Sequence, residues 1–453
     1  MNLPHGFYIF FLFLLGACVG SFLNVVVWRL PRILTPEGTP LWKRPWLLLH
    51  GLSEPPSHCP KCENKLKWYD NVPIFGWIKL RGKCRYCREP ISIRYPIVEA
   101  VAALLFVFYY VMYYMMDIGP CAPMPGRGIF TDAAIGTYRP PEAPIFLLHL
   151  AMISALLAAS LIDAELFIIP ASIPMLLAVL GLTVHTVVDE PHMSGALNLV
   201  LSDGRPSPAA ALAACGALGL LLSLFLLHKG IFKQSFVEGA PLLDVERKAL
   251  EADAAARAAA SSGKKDKSFA PSSADAPPPP REYTSSEIRA EMRKEITFLL
   301  PPLVLAVLWW FLTARVPAIH AAWDAAVRTN WVSGLLGALF GGLIGGFVVW
   351  LTRILGSIAF GKEAMGLGDV DLMFGVGAII GAGAATVAFF LAPFFGILTA
   401  VYLLITGKSR ELPYGPYLGM ASAAVLLCYC PIAKELTPGL AGLAMFVREA
   451  FGG

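Results

Sequence analysis

What this sequence has least of is charge. Only 15% of its 453 residues are Asp, Glu, Lys or Arg, against 56% hydrophobic, where a soluble domain carries roughly 25% charged residues. That shortfall excludes a soluble globular enzyme, and the apolar excess excludes a chain disordered throughout. Cysteine is sparse as well. Nine in the whole length fall far short of a disulfide-stapled secreted scaffold. A formal net charge of +4 is too small for nucleic-acid binding over the whole surface, so no nucleic-acid partner is expected. There is no phosphate-binding glycine loop, no Ser-His-Asp order and no HExxH helix. What remains is a polytopic membrane protein with the lipid bilayer as a partner.

Long apolar runs are what the chain has instead. A span needs about 20 apolar residues to cross roughly 30 Å of hydrocarbon. Such runs occur at 6–28, 97–116, 143–162, 166–188, 208–228, 297–314, 331–352, 368–384, 386–406 and 416–433. They predict an all-α fold of about ten transmembrane helices. The stretch from Leu372 to Thr406 is uncharged and too long for one helix, so a break is expected near Gly381-Ala-Gly383. The first run has neither a positive flank nor a cleavage site and exceeds a signal-peptide core, which predicts a retained helix.

Loop charge sets the orientation. Residues 29–95 hold thirteen Lys and Arg, while 117–142 holds only Arg127 and Arg139 and 189–207 only Arg205. Loops 29–95, 163–165, 229–296, 353–367 and 407–415 are therefore expected on the cytoplasmic side. The chain divides into a first transmembrane helix (1–28), a cytoplasmic zinc-binding region (29–96), a helical block (97–228), a polar cytoplasmic insertion (229–296) and a second helical block (297–453).

Cys59-Pro-Lys-Cys62 and Cys84-Arg-Tyr-Cys87 form two CxxC knuckles with 21 residues between them. Two residues between cysteines let a tight turn aim both thiolates at one ion, and two such turns complete a tetrahedral zinc site. A reducing cytoplasmic face disfavours two disulfides. With four thiolates and no open position, the zinc is expected to be structural. His58 is a solvated loop neighbour, and the remaining cysteines have packing roles.

Ionisable groups at span depth cost roughly 2.5–3.5 kcal/mol on insertion scales, so each invites a functional hypothesis. Asp163 closes the run 143–162, and Asp369 sits in Met365-Gly-Leu-Gly-Asp369-Val-Asp371 at the start of another. The orientation brings both to one leaflet. Two carboxylates in close approach cannot both ionise, so one holds a proton while the other activates water, as in an aspartic protease. Gly366 and Gly368 would let a backbone pass close to a substrate strand. The bland alternative is a pair of interfacial acids that mark helix ends.

The surrounding motifs resemble one family. Gly20-Ser-Phe-Leu-Asn24-Val-Val-Val-Trp-Arg29-Leu-Pro31 is similar to the opening motif of the type IV prepilin peptidases. Trp68-Tyr-Asp70-Asn71-Val-Pro73, Trp77, Arg81-Gly-Lys-Cys84 and Arg94-Tyr-Pro96-Ile-Val-Glu99 resemble that family's zinc-binding region and its exit into the second span. Leu161-Ile-Asp163 with Ile169-Pro170, then Lys362-Glu-Ala-Met-Gly-Leu-Gly-Asp369, resemble its two catalytic motifs, and Pro413-Tyr-Gly415-Pro416 its late signature. The resemblance implies a bacterial inner-membrane aspartic endopeptidase, its active site facing the cytoplasm. Such an enzyme removes the basic leader from pilin-like precursors, and many members also methylate the new N-terminus with S-adenosylmethionine. It implies Asp163 and Asp369 as the catalytic pair.

Two departures bear on the site. Ala171 stands where the family often has Asp, and Asp371 where a Lys is common, which would place three acids near one site. A second hairpin, 208–228 with 297–314, is inserted between the aspartates around the polar segment 229–296. Its twelve Lys/Arg and eleven Asp/Glu nearly cancel. Residues 252–283 are expected to be disordered, with short helices at 241–260 and 284–296.

Smaller signals have smaller readings. Glu99, placed in the first turn of the second span, suits the helix dipole, with substrate or methyl-donor binding as its alternative role. Asn24 is expected to bond a neighbouring helix, Arg29 to anchor its helix at the headgroups, and His149 and His185 to be packed or hydrogen-bonded. The competing readings are another GxGD intramembrane protease, which leaves the cysteine knuckles without a purpose, and a proton-coupled transporter, which predicts repeated halves that the chain lacks.

Overall fold

A run that is apolar on every side leaves only its backbone to satisfy, and in lipid a helix does that within the segment. A computed structural model of the chain describes residues 4–33, 44–54, 56–59, 61–116, 118–119, 143–188, 208–235, 284–406 and 412–428. Each of the expected runs is a helix there. In chain order the helices are α1 (His5–Arg29), α2 (Arg44–Ser53), α3 (Phe75–Lys79), α4 (Arg94–Tyr114), α5 (Ala143–Leu166), α6 (Ser172–Val187) and α7 (Pro208–His228). They continue as α8 (Ser285–Arg315), α9 (Pro317–Val327), α10 (Asn330–Phe360), α11 (Leu367–Ile380), α12 (Ala382–Thr406) and α13 (Gly415–Leu427). Two isolated bridges are the β-pairing among the described residues.

Among the described residues seven helices, not ten, are long and apolar enough to cross a membrane: α1, α4, α5, α7, α8, α10 and α12. The other three expected spans, α6, α11 and α13, have 16, 14 and 13 residues. At 1.5 Å per residue they reach only about 20–24 Å, short of the roughly 30 Å of hydrocarbon. Apolar composition does not fix length: the turn at Ile169-Pro170 delays the start of α6 to Ser172, and Gly381 ends α11 at Ile380. The expected break lies at Gly381, whose φ of +83° ends α11 and which directly precedes α12.

The principal core runs through α1, α4, α5, α6, α10, α11, α12 and α13. α1 meets α4 backbone to backbone: a Cβ on Gly20 would lie 2.6 Å from Glu99 Cα, the close approach that small residues at four-residue spacing permit. The inserted hairpin has separate, smaller clusters. Ala210 and Ala213 of α7 pack with Val327 and Leu336, and Ile288 and Met292 of α8 with Ile354 of α10. The short helix expected at 284–296 is the beginning of α8. It starts with a capping box in which Glu287 Oε2 accepts from Thr284 N–H at 2.8 Å and Thr284 Oγ1 accepts from Glu287 N–H at 3.4 Å. The segment expected to be disordered, 252–283, and the helix expected at 241–260 lie outside the described residues.

Candidate active site and metal centre

The cysteine lobe between α1 and α4 is built from one turn used twice. Cys59 N–H donates to Asn64 O at 3.0 Å and Glu63 N–H to Cys59 O at 2.9 Å. In the second knuckle Cys84 N–H donates to Glu89 O at 2.8 Å and Arg88 N–H to Cys84 O at 3.1 Å. Glu63 and Arg88, each next after the second cysteine, both take positive φ, 56° and 62°. The bridges His58–Lys65 and Lys83–Pro90 close the two turns at equivalent positions.

The knuckles bring all four sulfurs within 4.8 Å of one another. Cys59 Sγ lies 3.8 Å from Cys87 Sγ, and Cys62 Sγ 3.9 Å from Cys84 Sγ. A tetrahedron with Zn–S bonds of about 2.3 Å has edges of about 3.8 Å, so the spacing fits one zinc ion. Thiolate is favoured locally. The Asn64 backbone N–H, then its side chain, lowers Cys62 to about 6, and the Cys87 backbone N–H leads the lowering of Cys84. Cys87 is pushed up to about 12: the Glu89 N–H opposes this, but desolvation and the neighbouring sulfurs outweigh it. An ion would take all four as thiolates.

The lobe is tied down by its motif residues. Asp70, its side chain fully buried, accepts both ends of the Arg85 fork, Nε at 2.8 Å and Nη2 closer still. The Arg85 hydrogen bonds hold the Asp70 carboxyl below the usual carboxylate range. Trp77 Nε1 donates to Ile91 O at 3.1 Å. Glu99 does not cap α4: that helix starts at Arg94, which puts Glu99 in its second turn. Its Oε2 accepts from Ile74 N–H at 2.6 Å, and Ile74 has φ +62°, an outlier conformation for a β-branched residue. Asn24 bonds a neighbour as expected, donating to Tyr95 O at 3.2 Å, whereas Arg29 holds Leu52 O at 2.8 Å.

One end of the bundle gathers the rest. Arg94, at the start of α4, pairs with Glu165 near the end of α5, two residues past Asp163. Asp163 is buried, and its Oδ2 accepts from Gly415 N–H at 2.9 Å. Gly415 opens α13, so this N–H is one of the helix-terminal donors that have no partner within the helix. A Cβ on Gly415 would lie 2.7 Å from that same oxygen, which leaves no room for a side chain. Asp369, also buried, stands at the third position of α11, in the first turn after the capping residue Gly366. The charges of Asp163 and Asp369 act on each other, and Tyr414 lies within the field of Asp369. Each acid thus lies at a helix N-terminus, Asp163 against the Gly415 N–H and Asp369 in the first turn of α11, where negative charge is stabilised. Phe167, just past α5, donates its N–H to Asp163 O at 2.9 Å with φ +55°.

The other expected residues fall elsewhere. A Cβ on Gly368 would sit 3.2 Å from Ile169 Cβ, so its bare side meets the chain's own turn. Asp371 lies about 200° around the helix from Asp369. It lines a cavity of about 800 Å³ with Met175, Leu220, Phe298, Ile344 and Phe374, between the inserted hairpin and α6, α10 and α11. His149 meets the Tyr113 hydroxyl at 3.1 Å and His185 Nε2 meets Ile379 O at 3.1 Å, both buried, as packed histidines should.

A helical membrane protein with a four-thiol centre and paired acids at one end is the class these features define. Residues 14–113 match the family described as bacterial peptidase A24 N-terminal domain. Proteins called prepilin leader peptidase/N-methyltransferase are similar. The one from Myxococcus xanthus (strain DK1622) is 46% identical over 96 residues, 21% of this chain and 24% of that one. The one from Burkholderia pseudomallei (strain 1026b) is 33% identical over 192 residues, 40% and 53%, and that from Aeromonas hydrophila 39% over 122 residues, 24% and 41%. The chain thus spans between about a quarter and about half of the length of these relatives. No solved structure matches. The family match thus lies over the first two spans and the thiol lobe between them.

Proposed function

We propose that the chain is an aspartic endopeptidase of the bacterial inner membrane that cleaves the basic leader from pilin-like precursors. The observation that carries this reading is the acid pair: Asp163 and Asp369 are both buried at one end of the bundle, with the charge of Asp163 felt at Asp369 and the Gly415 N–H on Asp163. With one proton between them, the ionised acid takes a proton from water as it attacks the scissile carbonyl. The protonated acid gives its proton to the carbonyl oxygen. The Gly415 N–H holds the Asp163 carboxylate in place through the transfer. The acids sit at the bundle end that carries the thiol lobe, which the loop charges assign to the cytoplasm. Water and a basic leader would reach them there while the substrate's hydrophobic helix stays in lipid.

Cys59, Cys62, Cys84 and Cys87 would hold one zinc ion, whose part is to fix the lobe. The second half of the relatives' name calls for S-adenosylmethionine as methyl donor. No glycine-rich nucleotide loop occurs among the described residues, and methylation of the new N-terminus rests on the relatives alone. Asp371, facing the cavity, would favour approach of a basic leader. The test is leader removal from a pilin-like precursor by purified, reconstituted protein, with methyl transfer assayed separately. Cleavage by the parent and none by Asp369→Asn at equal abundance is the expected result.

A further inference from the structure

Arg353, on α10, has 1% of its surface exposed, and a guanidinium so placed needs partners for its donors. It finds them on two elements, the inserted helix α8 and the loop between α10 and α11. Nε donates to Glu295 Oε1 on the inserted helix α8 at 3.1 Å. Nη1 donates to Glu363 Oε1 at 2.6 Å and to the carbonyl of Met365. Glu295, 3% exposed, is itself held: its carboxylate accepts from Trp350 Nε1 at 2.9 Å and from the Ser235 hydroxyl at 2.9 Å. Ala364 N–H donates to Ser357 Oγ at 3.1 Å. Glu363, Ala364 and Met365 directly precede Gly366, the capping residue of α11, and Asp369 stands in the first turn of that helix.

We propose that Glu295 and Arg353 are positioning residues for Asp369: the inserted helix supplies a buried carboxylate that aims the Arg353 fork, and the fork holds the loop from which Asp369 starts. This rests on reading Asp369 as one of the reacting acids. The inserted hairpin is then part of the site's support. Geometry makes the fork necessary, because one planar guanidinium spans α8, the loop carbonyl and Glu363 together, which an ammonium with its single nitrogen cannot do. If the ion pair served stability alone, two apolar residues of similar volume would replace it at little cost. That contrast separates positioning from mere packing.

The test compares the full-length parent with Glu295→Leu/Arg353→Met, Glu295→Gln and Arg353→Lys, all checked for membrane insertion and zinc content. Leader removal gives kcat and KM, and hydrogen–deuterium exchange of peptides covering 355–372 reads the loop. The double variant should insert normally, yet exchange faster at the Ala364 amide by about tenfold or more. Its kcat should fall by about tenfold or more with KM within about twofold. Glu295→Gln keeps the Trp350 and Ser235 contacts and should lie between parent and double variant. Unchanged exchange or unchanged kcat in the double variant overturns the proposal. Should that variant fail to insert, Arg353→Lys decides, since parental kcat there would overturn it equally. A parent that cleaves no precursor defeats the proposed function, while the exchange comparison still decides whether the pair holds the loop.

Discussion

The thiol lobe and the acid pair are built in opposite ways. Four sulfurs come together through two copies of one local turn, each closed by its own backbone hydrogen bonds. The two carboxylates come from α5 and α11; Asp163 is oriented by the Gly415 amide at a helix start, and Asp369 stands in the first turn of its own helix. The first centre depends on a few residues and, as proposed, one ion. The second depends on how whole helices are set against one another. Damage to the lobe should therefore stay in the lobe, while changes far along the chain can move the acids.

The largest expected effect falls on the acids. Asp163→Asn or Asp369→Asn keeps shape but removes the exchangeable proton, and leader removal should drop by about 10³-fold or more, zinc content being unaltered. Next comes the helix start beneath Asp163. Gly415→Ala places a methyl 2.7 Å from Asp163 Oδ2, and a displaced carboxylate should cost about 10- to 100-fold in kcat at normal abundance. On the other side of the comparison, Cys59→Ser should take zinc from about one per chain to less than a tenth of that by elemental analysis. It should lower thermal stability more than it lowers kcat per folded molecule.

Asp70→Asn is a milder test of the lobe. The Asp70 carboxyl is held down by Arg85, so the stability it contributes is full above the ordinary carboxylate value of about 3.9 and is lost as pH falls through the lower folded value. The variant should melt earlier than the parent near neutral pH, and the gap should close on acidification. A gap that widens in acid would remove the Arg85 account. The smallest effect is expected from deleting 252–283 with α7 and α8 kept: insertion and cleavage should match the parent within about twofold, as the near-neutral, low-complexity composition of that stretch predicts.

Legibility in the sequence follows the same division. The knuckles could be read from spacing, because a turn of two residues is a local rule. The helices could be read from apolar runs, but three of them proved too short to span, since composition does not record where a turn begins. Asp163 and Asp369 stood out as acids at run ends. What holds them did not: Gly415 acts through its backbone N–H, which every residue but proline has, and only the 2.7 Å clearance explains why it is glycine. Glu99 looked like a helix-start acid, yet it serves Ile74, 25 residues earlier. Arg353 and Glu295 carry no local signature, because their pairing is made by the packing of α8 on α10.

The central claim, that the two acids act as one unit, is tested most directly by leader-removal rates for Asp163→Asn, Asp369→Asn and the double variant in one reconstituted system. The account predicts that either single change abolishes cleavage and that the double variant is hardly slower than either. Cleavage at the parental rate by either single variant, at equal abundance, would contradict it.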